Sequence, residues 1–163
     1  MRLIGILLLS LTPFWFGLDY RNTLKKRRDL FLNLRDFIIF IKEQIRFCQR
    51  ERDEIFALSD TYPEFCTDFL IRIKKSFKNN KSISKTVEEC NDIRLKSKEI
   101  AQIESFFFEL GKTDTEGQIN HCDYYINLFG KKSENLENSY AAKSRISLGL
   151  SLSLTAAMFI IMI

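Results

Sequence analysis

From Thr23 to about Phe47 the apolar positions are Leu24, Leu30, Phe31, Leu34, Phe37, Ile38, Ile41 and Ile45. Their spacing of mostly three or four residues lays one stripe along an amphipathic helix. Thr61-Tyr62-Pro63-Glu64 predicts a second helix start. Thr61 and Glu64 have capping-box spacing, and Pro63 suits an early helical position. Phe65, Phe69, Ile73 and Phe77 follow at steps of four, and Asn79-Asn80-Lys81-Ser82 then reads as a loop. Thr86 and Glu89 suggest a further capping box before a short helix. A strong helical stretch runs from about Ser97 to Leu110, ended by Gly111 in a left-handed cap. From about Thr115 onward no strong breaker interrupts the pattern beyond Gly117 and Gly130, so one long helix is expected. No β-alternation persists anywhere. The predicted fold class is all-α, an antiparallel helical bundle with an aromatic core drawn from 15 phenylalanines.

The two ends differ from this middle. Leu3–Leu18 and Ile146–Ile163 contain no charged residue, and apart from Arg2 all the charge lies between Asp19 and Arg145. As a helix the 18-residue C-terminal run is about 27 Å long, close to the roughly 30 Å hydrocarbon core of a bilayer. The N-terminal run is shorter and contains Pro13, which a membrane helix tolerates. No small-residue cleavage site follows it, so an uncleaved anchor is favoured over a secretory signal. The expected organisation is an anchor at 1–19, a helical bundle at 20–145 and a transmembrane helix at 146–163. Five of the eight residues Arg21–Arg28 are basic, and Lys131, Lys132, Lys143 and Arg145 precede the second run. The positive-inside bias therefore puts the middle in the cytoplasm. Cys48, Cys66, Cys90 and Cys122 form no CxxC pair or compact framework, which agrees with a reducing compartment.

Catalytic chemistry finds little support. A total of 25 basic against 21 acidic residues is too balanced for a nucleic-acid protein. His121 is the sole histidine, and its neighbour Cys122 would point about 100° away on a helix. Structural zinc needs four ligands, so no metal or cofactor is expected. Gly111-Lys112-Thr113 resembles the tail of a phosphate-binding loop, but Phe106 stands where the first glycine is required. The basic stretch Arg72, Lys74, Lys75, Lys78, Lys81 and Lys85 suits anionic lipid headgroups or an acidic partner, and a solvated face explains it as well. In the last span Gly149, Ser153 and Ala157 form one line of small residues and Ser147 and Ser151 begin another. Such lines permit close approach of a helix from the same chain or from a second subunit.

The most distinctive local feature is Leu110–Gln118. Thr113 with Glu116, or Thr115 with Gln118, can begin a helix, and Asp114 sits favourably near its N-terminus. As a polar turn between two helices, with Gly111, Thr113, Asp114 and Gln118, it is also a candidate docking point.

The string from Phe107 to Gln118 resembles the "LG-x-[ST]-D-x-x-x-Q" signature of the stage III sporulation protein AB family of endospore-forming bacteria. The opening Arg2-Leu3-Ile4-Gly5, the Leu34–Ile45 helix with Glu43-Gln44-Ile45, and Lys143 through Leu148-Gly149 are similar to the family's other landmarks. Arg50-Glu51-Arg52-Asp53 departs from it, since a Thr-Pro-Leu-like turn is usual there. Ser151 and Ser153 stand where further glycines are expected. The resemblance implies a soluble part similar to the cytoplasmic domain of the inner-membrane platform protein of type II secretion and type IV pilus systems. It further implies a non-catalytic role in the mother cell–forespore complex, coupling a secretion-type ATPase to membrane channel subunits from the mother-cell membrane. The rival readings are a signal-cleaved extracytoplasmic helical protein and a membrane-bound enzyme of unrecognised type.

Overall fold

Among the described residues of a computed structural model of the chain, the amphipathic stripes read above become six α-helices and two short turns. The structure describes the backbone of residues 2–79, 83–88 and 93–162; the side chains of 1–17, 83–84, 88 and most of 141–163 lie outside the described set. Helix α1 spans Arg2–Glu43 and passes into a π-helical turn at Gln44–Cys48. Helix α2 (Arg52–Ser59), a 3₁₀ turn (Pro63–Phe65), α3 (Asp68–Lys78) and α4 (Ile83–Glu88) follow. Helices α5 (Ser97–Glu109) and α6 (Thr115–Met162) complete the chain. Among the described residues there is no strand.

The two long helices are antiparallel. Arg21 Nε donates to the Tyr140 hydroxyl at 2.8 Å, Arg28 pairs with Glu137 at 2.6 Å, the Phe31 and Phe129 rings lie 5.7 Å apart, and Lys42 pairs with Asp123 at 2.6 Å. Residue numbers rise along α1 as they fall along α6. At 1.5 Å per residue the two helices measure about 63 Å and about 72 Å, so each is long enough to carry its apolar terminal run as well as its part of the bundle. Among the described residues no helix is long and apolar enough to cross a membrane. The flanking transmembrane helices expected from the sequence fall on residues 1–19 and 146–163, most of whose side chains are outside the described ones.

Helix α5 runs parallel to α1, because Glu99 meets Arg27 near its start and Phe107 meets Phe37 near its end. The short helices α2 and α3 cover the remaining side. The α1 stripe is fully buried at Phe31, Leu34, Phe37, Ile38 and Ile41, and Ile103, Phe106, Phe107 and Phe129 close over it from α5 and α6. Phe37 alone faces the rings of Phe56, Phe65 and Phe107. Each such pair adds about 0.5–1.5 kcal/mol beyond its buried area.

Two local expectations change. No capping box forms at Thr61 and Glu64; the Thr61 hydroxyl instead donates to the Leu58 carbonyl, Pro63 opens only the 3₁₀ turn, and α3 begins at Asp68 with Thr67 accepting from the Leu70 N–H. Thr86 does not precede a helix but lies inside α4, buried, with its hydroxyl 2.6 Å from that of Ser76. Glu89, its expected partner, is outside the described residues. Both misreadings have one cause: capping spacing is common, and the hydroxyls found closer backbone or cross-helix partners.

Candidate partner-binding surface

The turn between α5 and α6 is built by its backbone. Leu110 (φ −63°, ψ 123°) and Gly111 (φ +86°) occupy the central positions of a type II turn, closed by the Lys112 N–H to the Glu109 carbonyl at 3.2 Å. Glycine is therefore needed at 111 for its conformation. At Gly117 it is needed for space: an added Cβ would stand 2.8 Å from both Asp114 Oδ1 and Thr113 Oγ1.

Helix α6 then starts without the expected boxes. Asp114 Oδ1 accepts from the Gly117 N–H at 3.1 Å and so caps the helix. Gln118 is buried and folds back over the turn. Its Oε1 accepts from the Gly111 N–H at 2.9 Å and its Nε2 donates to Thr113 Oγ1 at 2.8 Å. Gln118 is thus a clasp within the turn, while Thr113 and Asp114 remain exposed.

Opposite this turn lies the end of α1. Gln49 adopts a left-handed conformation (φ 48°) to end the π turn, and Arg50 donates to Gln44 Oε1 at 3.0 Å. A cleft of about 390 Å³ separates the two, with Ile45, Ile55 and Leu110 among its apolar residues and Arg50, Arg52 and Asp53 among its charged ones. A second cleft of about 540 Å³ runs between α2 and α3, past Phe56, Phe77, Lys75 and Lys78, and again includes Arg52 and Asp53. The two candidate contact regions, separate in sequence, therefore share one charged rim. Arg52 spans it with its guanidinium 4.4 Å above the Phe77 ring.

Of the basic residues singled out on α3, Arg72, Lys75 and Lys78 are exposed. Lys74 is buried, 8% exposed, and committed within the chain to Asp60 and to Ser59 Oγ at 3.1 Å. Lys85 is exposed on α4, and Lys81 is outside the described residues. In the last helix Gly149, Ser153 and Ala157 are all exposed, and a Cβ at Gly149 would meet no atom within 4 Å. The side chains of Ser147 and Ser151 lie outside the described set.

His121 and Cys122 serve the interior. His121 stacks on Phe106 with centroids 5.3 Å apart, has Nε2 3.1 Å from the Phe106 carbonyl, and so ties α6 to α5. Cys122 is fully buried, and burial pushes its thiol up to about 12, leaving it a neutral packing group at ordinary pH. Cys48 and Cys66 are exposed free thiols. Among the described residues no three His, Cys, Asp or Glu side chains gather where they could hold a metal.

The sequence pointed to one wall of the first cleft and to the basic face of α3. It missed Ile45, Arg50, Arg52 and Asp53 as the opposing wall. Their signal was the charged run Arg50-Glu51-Arg52-Asp53, which stood out only as a departure from a family pattern.

No curated protein and no solved structure matches the chain. Residues 2–163 match the family described as stage III sporulation protein AB, which covers both the bundle and the two apolar ends. The Gly111–Gln118 turn, the charged rim and the two long helices that carry them thus belong to a member of the stage III sporulation protein AB family, with a role in sporulation.

Proposed function

We propose that this chain is a non-catalytic membrane platform of the mother cell–forespore channel complex, coupling a secretion-type ATPase to membrane channel subunits. In this reading both apolar ends sit in the mother-cell membrane that faces the forespore, and residues 20–145 stand in the cytoplasm. The observation that carries it is the antiparallel register of α1 and α6. Arg21 opposite Tyr140 and Lys42 opposite Asp123 mean that Leu3–Leu18 and Ile146–Ile163 leave the bundle from the same end. Both clefts and their shared rim lie at the other end, which we call the tip. From Asp19 to Glu43 α1 rises about 36 Å, so a partner at the tip would act well away from the bilayer.

The arrangement suits transmission rather than chemistry. Helix α6 is continuous from Thr115, beside the cleft, to Met162. A tilt imposed at the tip would therefore pass along an unbroken helix into the span. The contact surface would be the rim with Arg50, Arg52, Asp53, Lys75 and Lys78, and the turn residues Thr113 and Asp114 beside it. Gln118 and Lys74 would hold that surface in shape from within.

The test is copurification of the ATPase with the full-length chain carrying Glu51→Lys, at a residue lining the first cleft, and Lys75→Glu, at one lining the second, both exposed positions. Reversing two rim charges should lower recovery about tenfold or more, since like charges brought together across an interface cost several kcal/mol. The melting temperature should stay within about 2 °C, as exposed substitutions usually do little. Unchanged recovery, or a loss that follows the melting temperature down, would overturn the tip as the contact surface.

A further inference from the structure

At the opposite end of the bundle Arg94, just before α5, approaches the point where the chain becomes apolar. Asp19 is the first charged residue after Leu3–Leu18, and Arg94 Nη2 lies 3.6 Å from its Oδ2. Arg94 takes a left-handed backbone conformation, φ 48°, which a non-glycine residue adopts only at some cost. The chain turns there and enters α5 with Lys96 and Lys98 exposed at its start. Because Glu99 meets Arg27 at 2.9 Å, the beginning of α5 sits level with the basic run of α1, in which Lys25 and Lys26 are exposed. These levels lie about 9–12 Å from Asp19 along α1, close to one Debye length.

Several acids described in this region are already paired. Asp29 and Glu137 pair with Arg28, Asp19 with Arg94, and Glu99 with Arg27 at 2.9 Å and Lys132 at 3.8 Å. Among the described side chains Lys25, Lys26, Lys96 and Lys98 are left facing solvent without an acidic partner. Burial holds the Lys132 ammonium below its ordinary range; Glu99 opposes this, and Arg27, Lys98 and Lys96 add to it. Four exposed lysines at this level, close to where the chain becomes apolar, complement one occupant best: a bilayer surface rich in anionic phospholipid.

We propose that the Arg94 turn with Lys25, Lys26, Lys96 and Lys98 is a foot by which the bundle rests on acidic lipid headgroups. It rests on the membrane-tether part of the reading above and not on the ATPase. Besides the two apolar ends it supplies a third, reversible contact, fixing which side of the bundle leans toward the membrane. It is distinct from the basic face of α3 at the tip.

The experiment uses the full-length chain reconstituted in phosphatidylcholine vesicles, with and without one third phosphatidylglycerol, and maps tryptic cleavage by mass spectrometry. Acidic lipid should slow cleavage after Arg94, Lys96 and Lys98 by about fivefold or more, the factor for one surface lysine. Cleavage after Lys75 and Lys78 should be unchanged, which also reports that the fold is intact. Lys96→Gln with Lys98→Gln should remove most of the protection at Arg94, as should raised salt. Equal cleavage in both lipids, protection that extends to Lys75 and Lys78, or equal protection by inorganic phosphate with neutral vesicles would overturn the foot alone. A chain that fails to float with neutral vesicles would remove the tether and the foot together.

Discussion

Gln118 makes one buried side chain answer two polar groups of the same turn, the Gly111 N–H and the Thr113 hydroxyl. Removing it leaves both without that partner, and an unsatisfied buried polar group costs about 1–3 kcal/mol. Gln118→Ala should therefore lower the melting temperature of the full chain by several degrees. Asp114→Ala removes a single exposed cap bond and should cost about 1 kcal/mol. Calorimetry of the two variants checks the order, and an Asp114 effect larger than that of Gln118 would contradict the clasp. Gly117→Ala belongs in the same series, because its Cβ would collide with Asp114 and Thr113 in the turn those residues build. Residues that looked like partner contacts thus divide by burial: Gln118 and Lys74 hold the shape, while Thr113, Asp114, Lys75 and Lys78 present it.

The elements show the same division between support and surface. Helices α1 and α6 form the frame, fastened by Arg28 to Glu137 and by Lys42 to Asp123, and α5 packs onto them through Glu99 and a row of phenylalanines. If α6 transmits motion from the tip, its continuity matters more than its surface. Asn135 is exposed in its middle. Asn135→Pro would delete one backbone hydrogen bond and clash with the carbonyl four residues earlier, at a cost of about 3 kcal/mol. Sporulation should fall while copurification of the ATPase persists, since the break lies far from the Gly111–Gln118 turn. Normal sporulation with a helix shown by circular dichroism to be broken would argue against transmission through α6. The legible part at this scale was large. The α1 stripe from Leu24 to Ile41 and the Ser97 start of α5 emerged from spacing, because a 3.6-residue period needs no knowledge of the partner. The Thr115 start of α6 emerged from the turn before it and the lack of a strong breaker after it. The capping boxes at Thr61 and Thr86 were not so determined, since a hydroxyl's choice among carbonyls depends on what the fold brings near it.

For the molecule as a whole, the antiparallel pairing sends both apolar ends one way and the clefts the other. Two native thiols test the orientation without added labels. Cys48 lies in the π turn after α1, and Cys66 just after the 3₁₀ turn that packs on Phe37 and Phe40; both are exposed. In intact cells a membrane-permeant maleimide should modify both, and an impermeant one neither until the membrane is opened. Modification by the impermeant reagent in intact cells would place the bundle outside the cytoplasm. Buried Cys122 should resist both reagents in the folded chain.

By itself the sequence determined that this protein is helical, which face of each long helix is apolar, where the charge stops, and which family it resembles. These are properties of neighbours along the chain: period, composition and short motifs. Only the tertiary structure decided that Arg50–Asp53 would stand across a cleft from Gly111, that Arg52 and Asp53 would join it to the cleft beside α3, and that Lys74 and Gln118 would be used up inside. It likewise decided that Arg94 would reach Asp19, 75 residues away in sequence. Such pairings are set by how long helices pack and cross, with Phe37 and its ring partners fixing the angles between elements, and no local pattern encodes them.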